Sequence, residues 1–75
     1  MGKRITLTLC GTSERDCDPN LGELSVFYFD GAFVLTPLEI RRGDSLYYCT
    51  KIHMMGQTFV VAEHIEDINK ELFDV

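Results

Sequence analysis

Tryptophan is absent from this 75-residue chain, proline occurs twice, and seven lysines and arginines face twelve aspartates and glutamates. The net charge is −5. Direct binding of nucleic acid needs clustered cations to displace counterions from phosphates, so that role is not expected. No apolar run approaches the ~20 residues that cross a bilayer, so no membrane partner is expected either. Lys3 and Arg4 lead into an alternating segment rather than a continuous apolar one, which does not read as a secretory leader. Cysteine is sparse and loosely spaced, at positions 10, 17 and 49. An odd count with such spacing argues against a secreted disulfide scaffold and for free thiols in a reducing cytoplasm.

What remains is the composition of a small globular domain, with 45% hydrophobic and 25% charged residues. Residues 1–75 are expected to form a single domain. A chain this short buries only about 60% of the surface exposed when unfolded, so it favours action through its exterior over a deep pocket.

Ile5, Leu7 and Leu9 alternate with Arg4, Thr6 and Thr8, the period of a half-buried strand over 3–10. Residues 11–22 are dominated by turn formers and read as a long loop. Asp30-Gly31 lies between two apolar runs and matches a two-residue hairpin turn. That hairpin pairs Phe29 with Ala32, Tyr28 with Phe33, Phe27 with Val34 and Val26 with Leu35. It is apolar on both faces, which marks Phe27 and Phe29 as candidate interface aromatics. Thr36, Pro37 and Glu39 fit a capping box, and Gly43 fits a helix stop, predicting one helical turn over 36–43. Residues 45–53 and 58–62 read as a second hairpin turning through Met54–Gln57. Within it, Tyr47 and Tyr48 must face opposite ways, and Tyr47 is a further candidate interface aromatic. Ile65, Ile68 and Leu72 recur at helical spacing over 63–73. The expected fold is α+β, a small antiparallel sheet of about five strands (β-β-β-turn-β-β-α) with one C-terminal helix packed on it. An SH3-like small barrel is the alternative closure.

Catalytic and metal motifs are lacking. Cys10, Cys17, Cys49 and His53 offer no tight ligand pair, and Cys49 and His53 on one strand would sit roughly 13 Å apart. No phosphate loop or paired-carboxylate motif occurs, and no Cys–His dyad is supported locally. No cofactor, metal or catalytic residue is therefore expected. A thiol- or metal-handling role for the three cysteines is the weakest of three alternatives.

Charge distribution is the most informative feature. Glu14, Asp16 and Asp18 concentrate in the loop, and Glu63, Glu66, Asp67 and Glu71 over the helical segment, with Asp74 beyond. Carboxylates spaced along a helix can enter a groove built for phosphates. Small size, acidic surface and no catalytic motif are shared with nucleic-acid mimics of phages and mobile elements, such as anti-restriction and anti-CRISPR proteins. The likeness is one of profile and rests on no motif. The first expectation is thus a non-enzymatic module that binds and inhibits a larger basic, nucleic-acid-binding protein through those seven acids. The second is a homodimer or accessory subunit that uses the aromatic hairpin, with the acids only conferring solubility.

Overall fold

The computed structural model describes residues 3–73. Its elements are β1 (Lys3–Gly11), β2 (Glu23–Phe29), β3 (Phe33–Arg42), β4 (Ser45–Met54), β5 (Gln57–Val61) and α1 (Ile65–Phe73). The strands form one antiparallel sheet in the order β2-β1-β5-β4-β3, and the C-terminal helix packs on it. The small α+β architecture read from the sequence is therefore present. The sheet is not closed into a barrel, because β2 and β3 are its two edges and do not pair.

That arrangement corrects the Asp30-Gly31 hairpin. Tyr28 lies opposite Arg4 on β1, and Val34 lies opposite His53 on β4. Gly31 does adopt a positive φ of 81°, but the connection carries the chain from one edge to the other. Only three residues join Phe29 to Phe33, so the sheet must curl until those strand ends meet. The Phe29 and Phe33 rings stand 5.1 Å apart, edge to face. A local turn preference lost to pairing that seats Phe27 and Phe29 against Ile5, Leu7 and Ile68.

The helical turn over 36–43 is likewise corrected: the segment is strand up to Arg42. Pro37 survives there because β3 is an edge, where a missing N–H costs little. Gly43 is no helix stop. It takes φ 60° in the two-residue turn Gly43–Asp44, with Arg42 facing Ser45 across the ladder. The β4–β5 hairpin turns through Met55–Gly56, within the segment expected to turn.

The pleat sends side chains to two faces. On one, Ile5, Leu7, Phe27, Phe29, Ile52 and Val61 surround Ile68 of the helix, with Leu72 packed beside them. On the other, Ile40, Cys49 and Val60 pack with Cys17 from the 12–22 loop. Val60 and Val61 are adjacent in sequence and each is fully buried, one in each core. The loop roofs one face and the helix roofs the other.

Candidate functional site

The seven acids do not share a surface. Glu14, Asp16 and Asp18 ride on the loop over one face, and Glu66, Asp67 and Glu71 project from the helix over the other. The sheet separates the loop acids from the helix acids. Asp74 falls outside the described residues.

Glu63 is not on the helix. It stands where the chain leaves β5, and its carboxylate accepts the Thr8 amide at 2.9 and 3.0 Å and the Thr8 hydroxyl at 2.9 Å. Its own carbonyl accepts the hydroxyl of the buried Thr50 at 2.8 Å. These bonds commit Glu63 to structure.

Next, His64 caps the helix. Its carbonyl accepts the Asp67 and Ile68 amides at 3.0 and 3.2 Å, and its Nδ1 accepts the Glu66 amide at 3.2 Å. Glu66 and Asp67 in the first turn suit the positive end of the helix dipole. Both are exposed, as is Glu71. At the other end, Lys3 Nζ donates to the Glu71 carbonyl.

The loop is tied down differently. Arg42 Nη2 donates to the carbonyls of Cys17 at 2.7 Å and Glu14 at 3.2 Å. Asp18 accepts the Asn20 amide at 2.9 Å in an Asx turn, and Tyr47 donates to Asn20 Oδ1 at 3.2 Å. Tyr47 is thus half-buried and engaged. Phe27 and Phe29 are buried in the helix-side core and present no interface. The exposed apolar side chains of β2 are instead Leu24, Val26 and Tyr28. The two-residue period of a strand places these three on one face, once Phe27 and Phe29 are known to be buried.

The thiols of Cys10, Cys17 and Cys49 converge beneath the loop. Burial, reinforced by Cys49, Cys17 and Glu63, pushes the Cys10 thiol up to about 11. Burial also raises Cys49, and raises Cys17 despite the opposing pull of Arg42. These groups are held as protonated thiols, the reverse of an activated nucleophile. Among the described residues, no group of three or more His, Cys, Asp or Glu side chains is placed to hold a metal ion. A hollow of about 370 Å³ opens beside β3 and β4, lined by Pro37, Leu38, Glu39, Tyr48, Cys49 and His64. In that hollow His64 Nδ1 accepts the Glu66 amide, and burial raises the neighbouring Cys49 thiol. No helix among the described residues is long and apolar enough to cross a membrane.

Comparison with known protein families, curated proteins and solved structures finds no match to this chain.

Proposed function

We propose that this chain is a non-enzymatic interaction module that docks on, and inhibits, a larger basic protein whose cleft ordinarily receives nucleic acid. The observation that carries the reading is the fate of the cations. Arg42 and Lys3 donate to backbone carbonyls rather than to carboxylates, so these two cations do not tie up the surface acids in direct ion pairs. The docking face is narrower than the sequence alone suggests. Glu63 is consumed internally, Asp18 is tied into a turn, and the loop acids sit beside Arg15 and the clamping Arg42. Glu66, Asp67 and Glu71 on the helix are opposed locally by Lys70 and by Lys3, whose ammonium sits at the Glu71 carbonyl, which leaves a small net negative charge. An exposed helix face with excess negative charge attracts a cationic cleft and speeds encounter.

The test is affinity capture of nucleic-acid-binding proteins, repeated with the Glu66→Lys/Asp67→Lys variant and with competing oligonucleotide. Capture should weaken in the variant, yield to the oligonucleotide, and vanish in about 1 M salt, where the screening length falls to ~3 Å. Capture that survives both charge reversal and high salt refutes electrostatic docking.

A further inference from the structure

The two edges of the sheet are built differently. β3 carries Pro37 at mid-strand and Glu39, Arg41 and Arg42 toward its end, devices that discourage edge-to-edge pairing. β2 has neither proline nor charge from Leu24 to Phe29. Its outward side chains are Leu24, Val26 and Tyr28, which are 76%, 65% and 50% exposed.

The direction of its backbone groups follows from the ladder. Thr8 accepts the Ala62 amide at 2.9 Å and donates its own amide to Glu63, so its main-chain groups point away from β2. Thr8 opposite Leu24 is therefore a non-hydrogen-bonded pair, and alternation makes Thr6–Val26 and Arg4–Tyr28 the same. In such pairs both residues aim N–H and C=O away from each other. Leu24, Val26 and Tyr28 thus present main-chain donors and acceptors at the free edge, as well as apolar side chains on one face.

We infer that β2 pairs antiparallel with β2 of a second copy of this chain, on a two-fold axis at Val26. In that register Val26 meets Val26 of the partner, and Leu24 meets the partner's Tyr28. Each is a hydrogen-bonded pair, so every outward amide and carbonyl of the three residues is used. The six apolar side chains join into one patch. Charge agrees with this register: Glu23 of one copy falls opposite Phe29 of the other, whose β1 neighbour is Lys3. Two strand spacings, about 10 Å, separate Glu23 from that Lys3, and the opposed charges lie on the same face. The sheets merge, and both helices lie on one side of the ten-strand product. This inference does not depend on acidic docking: Glu66→Lys/Asp67→Lys should leave the assembly intact.

Light scattering and sedimentation on the full chain at ~100 μM provide the test. The expected mass is twice the 8.6 kDa of one chain. Val26→Lys and Val26→Glu should each give a folded monomer by circular dichroism, because position 26 faces solvent. Mixing the two variants should restore a one-to-one dimer, since only a register centred on this residue places them face to face. A monomeric parent protein overturns the inference. So does a dimer that tolerates Val26→Lys, or a mixture of the two variants that stays monomeric.

Discussion

The carboxylate of Glu63 stands in for a strand carbonyl, taking the Thr8 amide at 2.9 and 3.0 Å just past the point where β5 parts from β1. The chain can leave the sheet there and cross to the helix without orphaning a buried donor. Glu63→Ala removes the acceptor from a part-buried amide and hydroxyl, an expected cost of about 1–3 kcal/mol in denaturant unfolding. Glu63→Gln keeps an acceptor oxygen and should lose less. An alanine variant as stable as the parent would show that the amide finds water instead.

Ile68 is fully buried and is the main tie between helix and sheet. Truncation to alanine should destabilise by roughly 2–5 kcal/mol, through lost transfer energy and the cavity left behind. Glu66→Lys, on the exposed side of the same helix, should change stability by less than about 1 kcal/mol. Paired chemical denaturation curves give both values.

Gly11 lies against the backbone of the loop. A Cβ built there would meet Cys17 Cα at 2.7 Å and Cys17 N at 2.9 Å, contacts that neither backbone can relieve without moving. Gly11→Ala should lift the loop at a cost of about 1–3 kcal/mol. Cys17, now buried, should then react faster with a thiol reagent. An unchanged thiol-labelling rate would place the strain elsewhere.

Alkaline pH should destabilise the protein through the same cluster. The Cys10 thiol is raised from 9.0 to about 11 by burial and its neighbours, and Cys17 and Cys49 shift the same way. The folded state therefore holds protons that the unfolded state releases above pH 9. The stabilising contribution is whole below pH 9 and is lost as the pH climbs towards 11. Thermal unfolding in reductant, compared with a variant carrying valine at all three positions, isolates the effect. Identical pH profiles would show that the thiol cluster is not the source of the loss.

Elements whose pattern is local were legible. The alternation of Ile5, Leu7 and Leu9 marked β1, the turn at Met55–Gly56 joined β4 to β5, and the Ile65, Ile68, Leu72 stripe marked the helix face. Residues 36–42 misled because Thr36, Pro37 and Glu39 imitate a helix start. Leu38 and Ile40 alternating with Glu39 and Arg41 was the competing sign, and burial of Ile40 beside Cys49 and Val60 decided for strand. The candidate site was legible in composition alone: acids were identifiable, but not that Glu63 would be spent on Thr8.

Residue order by itself determined the acidic charge, the alternation of β1, the helix and its buried stripe, because these follow from neighbours a few positions apart. Only the tertiary structure decided that β2 pairs with β1 rather than β3, that loop and helix acids part to opposite faces, and that Leu24, Val26 and Tyr28 line an open edge. Pairing across a sheet is selected by the total apolar surface that all strands bury together, and a two-residue turn preference is too small a term to overrule it.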